Sequence, residues 1–204
     1  GPVGQMWRGG HVRTFAPGHI GDYVCVDITW QWQSCWYLRH ALVVRFPGTE
    51  PYVVILDNCN QTNDWLTYDW TFQIEPEHRA ELAPDNLRAT VHGKSNRLEL
   101  AWAHFGPADF PRPHRLELLT DQVASPYHGQ KSAHGDGPYD RLIARLHGFN
   151  GVLLTAMLPR RAGTAAVGIE RFAGRHEFGM RIDHGAVTDT IVASPIDRRI
   201  TIGG

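Results

Sequence analysis

The sequence predicts an all-β chain folded as two large antiparallel sheets packed face to face. Three observations carry this. Side chains alternate with a period of two over most of the length, Pro and Gly cut the runs at short intervals, and no segment has the apolar spacing of an amphipathic helix. The pattern is clearest from Asp22 to Asp57. There Tyr23, Cys25 and Asp27 alternate with Val24, Val26 and Ile28, and Trp30 and Trp32 then alternate with Gln31 and Gln33. Leu38 to Phe46 and Tyr52 to Leu56 follow, joined by Phe46-Pro47-Gly48-Thr49-Glu50-Pro51, a turn short enough to return the chain as an antiparallel hairpin.

The remaining elements follow the same grammar. Before the hairpin, the glycine-rich opening from Val3 to His19 holds one short strand, His11 to Phe15. After it comes a polar loop of turn formers, Asn58 to Asp64, and then Trp65 to Ile74, in which Trp70, Phe72 and Ile74 share a face. Pro76 to Asn86 is polar with two prolines and reads as a connection. Leu87 to His92 and Arg97 to His104 flank the turn Gly93-Lys94-Ser95-Asn96. A proline-rich link, Gly106 to Pro113, precedes the strand Arg115 to Leu119. Ser125 to Pro138 is the longest polar stretch without a pattern, a loop of functional length.

The last third reads as strands at Asp140 to His147, Gly151 to Leu158, Ala165 to Phe172, His176 to Ile182, Ala186 to Ala193 and Arg199 to Ile202. A dozen or so short-turned strands make a large antiparallel β-sandwich, supersandwich-like, with one wet face on each sheet. A jelly roll is the near neighbour. With no fixed-period repeat, a propeller or solenoid is disfavoured.

Size and charge narrow the function classes. The 204 residues suit one β-sandwich domain over 3–204 better than two small domains, and Gly1-Pro2 matches what a cleaved purification tag leaves behind. The sandwich is expected to be a piece of a longer chain. A net charge of -1 makes no basic field for nucleic acid, and no apolar run is long enough for a membrane span. Lys94 and Lys131 are the only lysines, so cationic contacts fall to arginine, whose fork suits carboxylate and sulfate. Cys25, Cys35 and Cys59 form no Cys-x-x-Cys pair, which points away from a disulfide scaffold or zinc knuckle. No phosphate loop, dinucleotide fingerprint or Gly-x-Ser-x-Gly elbow is present, and no cofactor is expected.

The carbohydrate-binding candidates are Trp30, Trp32, Trp36, Arg39 and His40. Indoles stack on the apolar face of a pyranose, although a tryptophan pair on one strand face is more often core. His40 is placed to pair with Asp57 across the hairpin, as a His-Asp unit for proton transfer or as a plain cross-strand polar contact. His128, His134 and Asp136 share one polar loop, but their spacing matches no defined metal site, and no metal ligand is assigned. The basic pairs Arg160-Arg161 and Arg198-Arg199 could hold an anionic polysaccharide, though such pairs are more often simply exposed.

Gly9-Gly10-His11-Val12-Arg13, Asp22-Tyr23-Val24, Val26-Asp27-Ile28-Thr29, the run from Leu38 to Arg45, Tyr52 to Asp57 and Trp70-Thr71-Phe72-Gln73 stand in sequence here. In that order the chain resembles the C-terminal β-sheet region of heparinase II/III-like polysaccharide lyases. The resemblance implies an N-terminal α/α toroid as partner, an acidic polysaccharide as ligand, and a periplasmic or secreted parent protein. It also implies β-elimination beside a uronate, with Tyr, His and Asn of the toroid and a His-x-His cluster early in the sandwich. No His-x-His occurs in this chain, so no catalytic or metal residue is carried over. The resulting expectation is a sandwich domain that supports the toroid and lines one wall of the cleft, inactive alone. The alternatives are a free-standing carbohydrate-binding module and a complete small lyase with a Tyr/His/Arg site.

Overall fold

The hairpin turn sets the frame. In the computed structural model, which describes residues 10–29, 36–61, 64–106, 112–123 and 138–203, strands β3 (Trp36–Val44) and β4 (Tyr52–Asn60) pair antiparallel across it. Gly48 at the turn has φ 85°, the left-handed backbone that a residue without Cβ adopts freely. Before them lie β1 (His11–Ala16) and β2 (Gly21–Asp27), and after them β5 (Leu66–Ile74). The middle of the chain forms β6 (Arg79–Leu82), β7 (Arg88–His92), β8 (Asn96–His104) and β9 (Arg115–Val123). Next come β10 (Tyr139–Gly148), β11 (Gly151–Arg161) and β12 (Gly168–Ala173), followed by β13 (Phe178–Asp183), β14 (Thr188–Ser194) and β15 (Arg199–Gly203).

The expected all-β antiparallel sandwich is what these strands build. They are divided among three sheets, one more than the strand pattern alone predicts. A central sheet of eight strands runs β1-β2-β3-β4-β11-β8-β7-β6. A minor sheet, β5-β10-β9, covers part of one face, and a C-terminal sheet, β12-β13-β14-β15, covers part of the other. On the minor-sheet side, Tyr37, Cys59, Leu100, Trp102 and Leu153 pack on Tyr68, Trp70, Leu142, Ala144 and Leu146. On the other side, Val44, Tyr52, Val54, Leu56, Leu154 and Leu158 pack on Phe178, Met180, Ile182 and Ile191. Each fully buried aliphatic side chain contributes roughly 1.5–3 kcal/mol by leaving water.

A wet face on every sheet is therefore a correction. Strands in the middle of the central sheet are buried on both faces, and in β11 residues 151–156 are buried without interruption. The run Val152-Leu153-Leu154-Thr155-Ala156 carried that signal, because a strand sandwiched between two layers has no polar side to show. A second correction concerns the connection from Pro76 to Asn86. It contains β6, which pairs with β7 as the last strand of the central sheet. The stretch Trp30 to Gln33 and all of the polar loop from Ser125 to Pro138 except its last residue lie outside the described residues.

The layering leaves one surface uncovered and one polar cluster enclosed. The minor sheet is narrower than the sheet it covers, and among the described residues β5 pairs only with β10, leaving its other edge open. Beyond that edge the central sheet shows an apolar strip: Val12 and Phe15 of β1, Val24 and Val26 of β2, Ala41 and Val43 of β3, and Val53 and Ile55 of β4. Phe15 is 66% exposed, Val12 61% and Val43 37%. The enclosed cluster is a polar knot inside the opposite core. The Tyr52 hydroxyl donates to Asp189 Oδ2 at 2.7 Å, and His184 Nε2 lies 3.0 Å from the same oxygen, with Asp189 wholly buried.

Candidate functional site

Register decides which polar side chains meet. Because Arg39 stands opposite Asp57, and His40 opposite Leu56, Arg39 and Asp57 share the minor-sheet side while His40 points to the C-terminal-sheet side. Tyr37 and Cys59, two pairs further along, join Arg39 and Asp57 on their face. The open edge of β5 runs past this group. Two adjoining hollows of about 220 and 190 Å³ lie there, sharing Tyr37, Asp69 and Trp70. The larger is floored by Arg39, Asp57, Ile55 and Thr155, with Thr71 and Phe72 at its side. The smaller reaches Cys59, Gln61, Thr67 and Tyr68. Together they form a groove between the central sheet and the edge of β5.

The groove's electrostatics centre on one ion pair. Arg39 Nε donates to Asp57 Oδ1 at 2.7 Å and Nη2 donates to Oδ2 at 3.1 Å, the two-pronged geometry that guanidinium and carboxylate favour. Nη2 also donates to the Tyr37 hydroxyl at 3.1 Å. Burial pushes the Asp57 carboxyl upward in pKa, against the opposing pull of the Arg39 charge and of hydrogen bonds from Arg39, Tyr37 and Trp70. Burial likewise raises the Tyr37 phenol well above its ordinary range, with the Asp57 charge adding to the effect. Tyr37 is thus a hydrogen-bonding group here and not a base. Asp69 faces away from the central sheet, where Arg145 Nε and Nη2 each donate to it at 2.8 Å and hold its carboxyl below the usual range.

Aromatic rings line the groove without standing free in water. Tyr68 and Trp70 stack at 6.2 Å between centroids, and both are buried. Phe72 meets Trp102 edge-on at 5.9 Å. The chemistry available is hydrogen bonding from a guanidinium, a phenol, an amide and the main chain of a strand that meets no second neighbour among the described residues, against buried aromatic rings. That set suits binding of a hydroxyl-rich ligand. Among the described lining residues there is no imidazole to carry proton transfer.

Similarity to known proteins lies in the fold. A solved structure titled heparinase III, BT4657 gene product, superposes with a TM-score of 0.61 at 10% sequence identity. The match covers 91% of this chain and 27% of that one. The shared property is a β-sandwich. No family model matches the chain, and no curated protein matches it. The sandwich fold read from the strand order is therefore found again in three dimensions, as a likeness to a part of that solved structure.

The sequence-predicted binding residues do not converge. Arg39 lines the groove. His40 is 1% exposed on the opposite face, where the Tyr23 hydroxyl lies 2.7 Å from its Nδ1. The His40-Asp57 pairing is corrected accordingly: a shift of one residue in register sends the two side chains to opposite sides of the sheet. Burial lowers the His40 pKa, and its Nε2 meets no partner among the described residues. Trp36 is on the His40 face as well. Its ring carries the Arg198 guanidinium at 5.3 Å, and its Nε1 donates to Asn58 at 3.1 Å, so it clamps β3 to the β14–β15 turn. Trp30 and Trp32 lie outside the described residues, as do His128, His134 and Asp136. Of the basic pairs, Arg160 reaches Glu50 at 3.3 Å and Arg199 reaches Asp197 at 3.6 Å.

Reading the sequence missed Tyr37, Thr155 and Gln61 as groove residues. Strand parity placed Tyr37 beside Arg39, but nothing in the chain announces that β5 ends its sheet there. It also missed Glu75, Glu77 and His78, whose ligand atoms lie within 4.8 Å of one another at the turn after β5. Exposed acidic groups at a turn commonly gather this way without an ion.

Proposed function

We propose that this chain is the sandwich portion of a lyase-like protein. In this reading it supports a helical toroid and lines one wall of a cleft for an acidic polysaccharide, in a periplasmic or secreted setting, and has no lyase activity alone. The observation that carries the reading is the apolar strip of β1–β4, left bare by the narrow minor sheet and ending at the groove. A strip with three exposed large side chains on one flat face favours a covering partner. The 27% coverage of the heparinase III structure supports a further domain as that partner. The groove beside the strip then faces the junction between the two parts, where ligand sites commonly form.

The test is catalytic. The purified chain is incubated with polysaccharides containing uronic acid while absorbance of the unsaturated product is followed. No product is expected, and steady formation overturns the proposal. The carbohydrate-module alternative drew its support from exposed indoles. Among the described tryptophans, Trp70 and Trp102 are buried and Trp36 and Trp65 are half-buried, while Trp30 and Trp32, which carried that alternative, lie outside the described residues.

A further inference from the structure

We infer that the groove between β3–β4 and the edge of β5 seats an uncharged sugar ring and turns away an acidic one. This rests on the proposal that the chain contacts a polysaccharide, and it specifies which unit of the polymer this wall meets. Among the described residues the charged side chains lining the groove are one guanidinium, Arg39, and two carboxylates, Asp57 and Asp69. Each charge is already matched: Arg39 holds Asp57 by two hydrogen bonds, and Arg145 holds Asp69 by two. A uronate entering here finds no free cation among the described residues and must approach a carboxylate that is 2% exposed in a poorly screened setting.

A neutral ring finds complementary groups. Of the five N–H donors on a guanidinium, Arg39 uses Nε and both Nη2 hydrogens on Asp57 and Tyr37. The two on Nη1 have no protein acceptor among the described residues, and a hydroxyl oxygen accepts from them without a charge of its own. Among the described residues β5 pairs only with β10, so its other edge adds main-chain donors and acceptors. An ion pair that neutralises itself in this way orients hydroxyls and leaves carboxylate recognition to another surface.

The experiment is calorimetric titration of the whole chain with neutral oligosaccharides of glucose, galactose and N-acetylglucosamine, and with the matching uronates. At least one neutral sugar binds about tenfold more tightly than its uronate. Arg39→Lys, which keeps a cation against Asp57 but lacks the Nη1 donors, weakens that binding, and Asp57→Asn, which releases Arg39, raises uronate affinity about tenfold. Thr71→Lys, which places an unmatched cation at an exposed position on the rim, raises it as well and stands in if Asp57→Asn does not fold. Tighter uronate binding by the unmodified chain overturns the inference. So does the absence of any neutral binding, or neutral binding that Arg39→Lys leaves untouched. Formation of unsaturated product bears only on the proposed lack of lyase activity, so the two failures are distinguishable.

Discussion

Arg39 and Asp57 are joined by two hydrogen bonds of 2.7 and 3.1 Å, yet their environments are unequal: the Arg39 side chain is 42% exposed and that of Asp57 is 3%. Removing either partner breaks the same bonds. The group left behind differs, because a half-exposed guanidinium rehydrates and a buried carboxylate does not.

Arg39→Met is therefore expected to cost about 3–5 kcal/mol, the range for stranding a buried charge, and Asp57→Asn clearly less. Urea unfolding of both variants and of the double variant checks this. Equal losses from the two single substitutions would contradict the asymmetry.

Stability is expected to fall on mild acidification. Burial lowers the pKa of both His40 and His104 from the ordinary 6.5, with the neighbouring His114 adding to the effect at His104 and a backbone hydrogen bond opposing it. The unfolded chain takes up protons near 6.5 and the folded chain resists until lower pH. The contribution of these groups is thus complete above about 6.5 and declines as pH falls below it. Denaturation midpoints measured from about pH 7.5 down to about 5.5 should drop, and His40→Gln should flatten the slope.

Trp102 separates volume from polarity. It is wholly buried against Phe72, and its Nε1 meets no hydrogen-bond partner among the described residues. Trp102→Ala is expected to cost about 3–5 kcal/mol through the cavity it opens. Trp102→Phe loses volume but also removes a stranded donor, so its cost should be markedly smaller, as read from thermal or urea unfolding.

Cys25 and Cys59 are free and buried, and burial pushes the Cys59 thiol up to about 12. Neither should alkylate in the native protein, since the reactive form is the thiolate. Mass-spectrometric mapping after iodoacetamide treatment should find both unmodified until denaturant is added.

Strand positions were legible in the sequence because a period of two survives in a single chain: β1, β5, β8 and β13 to β15 fall where the alternation put them, to within a few residues at each end. The partner of Asp57 was not legible. Parity alone allowed either Arg39 or His40 until the geometry of the turn at 46–51 set the register, and that geometry depends on backbone angles at Gly48 and its neighbours. The third sheet was written in the unbroken apolar run of β11 but needed recognition that a strand lacking a polar side lies between two layers. The groove was least legible, because it exists only where one sheet stops short of another, and sheet width is a property of the assembled fold.

The knot of Tyr52, Asp189 and His184 has a consequence for how the layers find their alignment. Hydrocarbon contacts between stacked sheets tolerate sliding, since one aliphatic neighbour nearly replaces another. A wholly buried carboxylate does not, for a displacement by one residue pair would strand it in oil without its phenol. The acid thus acts as a vernier mark between the C-terminal sheet and the central one, selecting a single seating among many of similar adhesion.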